Sequence, residues 1–288
     1  MNSHRPAVFT ALSVVLLLQK SISGADAAAD VDTLLNRAAE AFDKGNRTEA
    51  FELCTKASEI DPKGLRPYYV RGRFYALDRQ HEKAVADFDA VLKINPDAAM
   101  AYQYRGEEHF KLGRFEKSVA DFDRYIELVP NEAANHWQRG IACYYAGQYR
   151  AGRRQFELHQ LVNPDDVENA VWHYLCIARS EGVEKARASL MKIGQDRRVP
   201  MMEIYALFGG KGSPEQVLEA AKAGQPSPGE LNQRLFYAHL YLGLYYEAAG
   251  DEKLTREHIF KAADEHKVDH YMGEVARVHA AMLRKQKQ

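Results

Sequence analysis

The chain has 288 residues, enough for one large domain or two small ones. A hydrophobic fraction of 46% and a charged fraction of 27% are those of an ordinary folded chain, which excludes wholesale disorder and a multispan membrane protein. With 39 Lys and Arg against 40 Asp and Glu the net charge is -1, so a nucleic-acid partner held by bulk positive charge is not expected.

The N-terminus reads as an export signal. Arg5 precedes an apolar run, Ala7 to Leu18, that is too short for a stable bilayer anchor. Ala25-Asp26-Ala27 then fits an A-x-A cleavage site. Residues 1–27 are therefore expected to be a signal peptide, and the product periplasmic or secreted; a retained N-terminal segment is the alternative. There is no cysteine near the cleavage point for lipid attachment, so no stable membrane anchor is expected. The three cysteines, Cys54, Cys143 and Cys176, match neither a metal-site spacing nor a disulfide scaffold. They are expected as small buried hydrophobes.

From residue 31 the chain repeats with a period of 34. Pro62, Pro96, Pro130 and Pro164 keep that spacing, and so do Gly72, Gly106 and Gly140, with Ala38 in the first copy. Phe88, Phe122 and Phe156 form an aromatic column that Cys54 begins, and Ala50, Ala84, Ser118 and Gly152 form a small one. Arg71, Arg105 and Arg139 precede the column glycines, and Asp-Phe-Asp recurs at 87–89 and 121–123. The charged columns read as ion pairs between paired helices, repeated because the fold repeats.

These columns resemble the tetratricopeptide repeat (TPR), in copies 31–64, 65–98, 99–132 and 133–166. The resemblance implies an all-α, right-handed helical solenoid of antiparallel helix pairs. The glycine lets the two helices approach, the aromatic fills the gap between pairs, and the proline ends the second helix. Gly45, Gly113 and Gly147 fall at the turn within each pair, where a positive φ is expected. The resemblance also implies a concave groove lined by the first helices. Its positions fall on Arg66, Tyr69, Arg73 and Ala76, on Met100, Gln103, Glu107 and Phe110, and on Ala134, Trp137, Ile141 and Tyr144. Of these, Tyr69, Arg73, Gln103, Glu107, Trp137, Ile141 and Tyr144 are the candidate protein-binding residues, because aromatics and Arg anchor interfaces. A covering segment from the C-terminal helices is the rival role for the same face.

Residues 167–235 form a divergent helical region. Asn169–Ser180 resembles the first helix of a degenerate fifth repeat, Gly182 its turn, and 184–193 its second helix. A short helix is expected over 214–223, between glycine-rich loops at 209–213 and 224–229. The pattern returns at 236–288 as a repeat-like pair, with Gly243, Gly250, Ile259 and Ala262 in the column places, and a capping helix over about 270–285. Asp269 reads as the N-cap of that helix.

No catalytic constellation is present: there is no H-E-x-x-H, G-x-S-x-G or G-x-G-x-x-G. No enzyme activity, no cofactor and no metal is expected; His109 and Cys143 fall in an inward-facing column, and His266 and His270 flank a turn. The stretch Phe236–Tyr246, with Ala249-Gly250-Asp251 and Lys261-Ala262-Ala263, resembles the NlpI type of bacterial envelope lipoprotein, as does the overall layout, although the lipobox cysteine is absent. That resemblance implies a dimeric adaptor that presents substrates to a tail-specific protease and scaffolds peptidoglycan hydrolases. An exported interaction scaffold is thus the expected function, and a periplasmic carrier of extended polypeptide the alternative. The mature chain is expected to start near Ala28 without lipid. N-terminal sequencing and intact mass of the exported protein check this, and an intact Met1 would overturn it.

Overall fold

A computed structural model describes residues 25–286. Arg5 and the apolar run at 7–18 therefore lie outside the described residues. Among the described residues every regular element is helical, and no helix is long and apolar enough to cross a membrane. The chain divides into two compact units, which meet in sequence at Leu128 and Val129.

The first unit is three antiparallel pairs: α1 (Ala25–Asp43) with α2 (Arg47–Ile60), α3 (Leu65–Leu77) with α4 (His81–Ile94), and α5 (Ala99–Lys111) with α6 (Phe115–Leu128). The second unit opens with a 3-10 turn at Pro130–Glu132. It continues with α7 (Trp137–Tyr145), α8 (Tyr149–His159), α9 (Val167–Glu181), α10 (Val183–Ala188), α11 (Met201–Phe208) and α12 (Pro214–Lys222). Then come α13 (Pro228–Ala249), α14 (Glu252–Phe260), a π-helical turn at Lys261–Glu265, and α15 (Tyr271–Lys285).

Four of the pairs close on a contact between a glycine of the first helix and the residue sixteen places later. A Cβ added at Gly72 would stand 3.1 Å from the Phe88 ring, one at Gly106 2.7 Å from Phe122, and one at Gly140 2.6 Å from Phe156. The closing pair repeats this contact, with Gly243 against Ile259 at 2.7 Å. Any side chain there would drive the helices apart, and the rings are fully or almost fully buried. The preceding arginines bind at the same offset. Arg71 Nε and Nη2 donate to both oxygens of Asp87 at 2.9 and 2.7 Å, and Arg105 does the same to Asp121 at 2.9 and 2.6 Å. Gln155 stands in the fourth copy where the acid would be, and Arg139 reaches it at only 3.4 Å. Turns within the pairs take the left-handed backbone at Gly45, Gly113 and Gly147; in the second copy Arg79 carries that φ, at 60°.

All three cysteines are buried and none is in a disulfide, and burial pushes the Cys54 thiol up to about 12. Cys143 and Cys176 both line the space beside Gly152, where a Cβ would come within 2.9 Å of Cys176 Sγ.

The second unit departs from the expected boundaries in three places. The second helix expected over 184–193 is cut to Val183–Ala188. Asp165 takes the Gly194 backbone N–H at 2.8 Å, and Arg198 is gripped by Asp166, Glu168 and Asp196 at 2.5–2.7 Å. These bonds draw the following irregular segment onto the start of α9 instead. The closing helix begins at Pro228 rather than 236, because Ser227 and Glu230 form a reciprocal capping box with Pro228 in the first turn. Finally, His270 and not Asp269 stands at the N-cap of α15, on extended backbone and without a side-chain cap bond.

Phe122 is fully buried against Gly106. Phe122→Ala is expected to cost about 3–5 kcal/mol, with the loss shared by adjacent pairs. A urea melt of the full chain reads this, and a wild-type curve would contradict the register.

Candidate functional site

The candidate residues sit on α3 and α5 in the first unit and on α7 in the second. In the first unit, Tyr69 is nearly buried, edge-on to Tyr104 with ring centroids 5.8 Å apart and to Phe88 at 6.2 Å. Burial, reinforced by Tyr104, pushes its phenol far above the usual range, so Tyr69 stays neutral. The Arg73 guanidinium lies 3.6 Å from the Tyr104 ring centre, a cation–π contact on a half-buried side chain. No carboxylate of the described residues pairs with Arg73. Gln103 Nε2 donates to Glu107 Oε1 at 2.9 Å, one helical turn away. Phe110 is fully buried, whereas Met100 is 41% exposed. Helices α3 and α5 thus bring Tyr69, Tyr104 and Arg73 into one stack beside the Gln103–Glu107 pair. Tyr104 was missed by position-by-position reading, because it lies outside the four groove positions and is placed here only by packing.

In the second unit the corresponding repeat positions of α7 are occupied by that unit's own C-terminal helices. Tyr144 is 5% exposed and its hydroxyl donates to Glu247 Oε2 on α13 at 2.9 Å. Arg179 on α9 donates to the other Glu247 oxygen at 3.3 Å. Burial, with the Glu247 charge beside it, holds the Tyr144 phenol well above its ordinary range. Trp137 meets Tyr271 of α15 edge-on, with centroids 5.2 Å apart and planes at 90°. Ile141 is 1% exposed. Tyr145, next to Tyr144, bonds His279 of α15 at 2.9 Å. Trp137, Ile141 and Tyr144 are therefore packed side chains in this structure, and not the open anchors that their repeat positions suggested. The physical reason is that α13 and α15 supply the apolar and polar partners these side chains need.

Among the described residues no group of three or more His, Cys, Asp or Glu is arranged to hold a metal. His109 is buried in the first unit and held below its usual pKa by burial; Asp121 is 3.9 Å from it. An open cleft of about 530 Å³ runs between α4, α5 and α6, and most of its charged lining is paired: Arg105 with Asp89 and Asp121, Arg114 with Glu82.

Residues 65–98, the α3–α4 pair, match the tetratricopeptide repeat model. The chain is similar in structure to a tetratricopeptide repeat protein from Parabacteroides merdae, at 14% identity, covering 89% of this chain and 99% of that one with a TM-score of 0.57. The fold is that of a tetratricopeptide-repeat solenoid. It is also similar to the C-terminal part of a TPR repeat-containing protein from Cytophaga hutchinsonii, at 15% identity over 79% of this chain and 93% of that one, TM-score 0.50. MamA 41-end from Desulfovibrio magneticus aligns at 18% identity over 55% of this chain and 90% of that one, TM-score 0.50. No curated protein matches the chain in sequence. At these identities the TPR likeness concerns the fold alone.

Because Trp137 is seated against Tyr271, Trp137→Ala is expected to destabilise the second unit by about 2 kcal/mol, less than a fully buried tryptophan. Chemical denaturation measures it. A variant with wild-type stability would return Trp137 to the class of open anchors.

Proposed function

We propose that this TPR protein is an interaction scaffold, not an enzyme, and that it takes a polypeptide partner on the α3–α5 face of the first unit. The observation that carries this reading is the Arg73–Tyr104–Tyr69 stack. It offers a guanidinium without a carboxylate partner, set 3.6 Å over the centre of an aromatic ring that a buried one meets edge-on. Such a guanidinium is pre-ordered, so little side-chain freedom is lost when it meets a carbonyl or carboxylate of a partner. Glu107, tied to Gln103, supplies an acceptor on the same face for a partner's backbone N–H or basic side chain. Exposed Met100 adds an adaptable apolar contact on α5.

The NlpI-type resemblance extends this reading to an exported envelope adaptor, with a tail-specific protease or a peptidoglycan hydrolase as partner and a homodimer as the assembly. The sequence features in favour are the N-terminal apolar run and the closing repeat with its final helix. A carrier for extended polypeptide would use the same face but would not discriminate between chains.

A photo-crosslinking residue at Met100 in the full chain, exposed to envelope extract, identifies the partner. Arg73→Ala is then expected to weaken binding to that partner by about 2 kcal/mol with unchanged melting behaviour. Full affinity in that variant would overturn the assignment of this face, and equal capture of many unfolded chains would favour the carrier.

A further inference from the structure

Two imidazoles meet inside the closing repeat. His239 on α13 and His258 on α14 are both buried, and their Nδ1 atoms lie 2.8 Å apart. His266, just after the π-helical turn, lies parallel to His239 with ring centroids 5.3 Å apart, and its own Nδ1 is 3.3 Å from Asn232 Oδ1. Tyr246 stacks on His258 at 5.5 Å. A separation of 2.8 Å suits a single proton held between the two nitrogens: one ring donates and the other accepts. A metal bound at about 2.0–2.1 Å from each nitrogen would hold them farther apart at tetrahedral angles.

The surroundings accept one proton in that bond but not a second. Lys261 from the π-helical turn opposes further positive charge on both rings, and Lys222 from α12 opposes it on His239. Glu257 is the acid facing His258, but Lys261 Nζ already binds it at 2.7 Å; Glu265 faces His266. Burial, then the charges of His258 and His266, hold His239 down to about 3, and burial lowers His258 and His266 as well. Rings held neutral in the fold contribute stability above the ordinary histidine pKa, about 6.5, and that contribution is lost as pH falls below it, because the opened state binds the extra protons.

The pair is tied mechanically to the face of α7. Helix α13 also carries Glu247, which holds Tyr144 and Arg179. Helix α14 carries Arg256, whose Nη1 donates to the Leu283 carbonyl of α15 at 2.8 Å, so α15 follows α14. Helix α15 in turn covers α7 through Tyr271 against Trp137 and His279 against Tyr145. His279 is itself buried beside Glu247, and burial lowers its pKa.

We propose that the closing repeat is an acid-released cover: double protonation of the His239–His258 pair separates α13 from α14 and loosens the hold of α13 and α15 on α7. The released surface is the one carrying Trp137, Ile141 and Tyr144, so acid would convert a closed face into one open to a partner. This does not depend on the α3–α5 face being a binding site.

Hydrogen exchange by mass spectrometry on the full chain tests it, after correction for the intrinsic pH dependence of exchange. Between about pH 7.5 and about pH 5.5, protection of peptides spanning α7, α13 and α14 should fall by up to about ten-fold for each ring that gains a proton on opening, about a hundred-fold for the pair, while peptides from α2 to α4 stay unchanged. His258→Asn keeps a neutral hydrogen-bonding group near the Nδ1 position but cannot be charged, so it should lose most of that fall while His279 remains. An equal fall in the variant, or none in the wild type, would overturn the proposal. Should the variant fail to fold, imidazole NMR titration of the wild-type chain decides. The proposal requires His239 and His258 to titrate as a coupled pair below the ordinary range, and two independent midpoints near about 6.5 would refute it.

Discussion

The close approach of a glycine on the first helix of a pair to the ring sixteen residues later is the contact on which the rest of the structure depends. A Cβ at Gly106 or Gly140 would stand less than 3 Å from the ring of Phe122 or Phe156. The absence of a side chain thus sets the distance between the helices, and the ring fills the space it leaves. Once the helices are that close, the neighbouring arginine and aspartate fall within reach of each other. The Arg71–Asp87 and Arg105–Asp121 forks are consequences of this spacing rather than its cause. The fourth pair supports that order of cause. It keeps Gly140 and Phe156 and still closes, although Gln155 has replaced the acid and the Arg139 contact has weakened to 3.4 Å.

Where the period fades, other interactions take over the positioning. The segment after α10 is held by Arg198, whose guanidinium is shared among Asp166, Glu168 and Asp196, with Tyr241 donating to Glu168 at 2.6 Å. Side-chain caps join the left-handed glycine turns at Gly210, Gly224 and Gly250: Ser213 with Gln216, Ser227 with Glu230, and Asp251 at the start of α14. The closing pair then returns to the glycine contact, with Gly243 against Ile259. The second unit is therefore a repeat, an irregular insertion pinned by charge, and a last pair that turns its surplus polar groups toward α7.

The two units treat the concave repeat positions differently. On α3 and α5, Arg73 and Glu107 remain partly exposed and the stack with Tyr104 is local. On α7, the corresponding positions are taken up by Glu247, Tyr271 and their neighbours on α13 and α15. The same repeat logic thus yields one set of positions left partly exposed and one engaged internally.

The repeat register, the all-helical class, the inward columns and the burial of Cys54, Cys143 and Cys176 were legible in the residues alone. They rest on contacts within one helix pair or between adjacent ones, and a fixed period makes such contacts visible as columns. The start of α13 was legible too, since Ser227, Pro228 and Glu230 form a capping signature, yet the surrounding Gly and Pro read more readily as a loop. What occupies the face of α7 was decided by the tertiary structure. Tyr144 meets Glu247 across 103 residues and Tyr145 meets His279 across 134, separations that belong to no repeat and leave no pattern along the chain. His239 and His258, nineteen residues apart, likewise become a pair only because α13 and α14 fold back on each other.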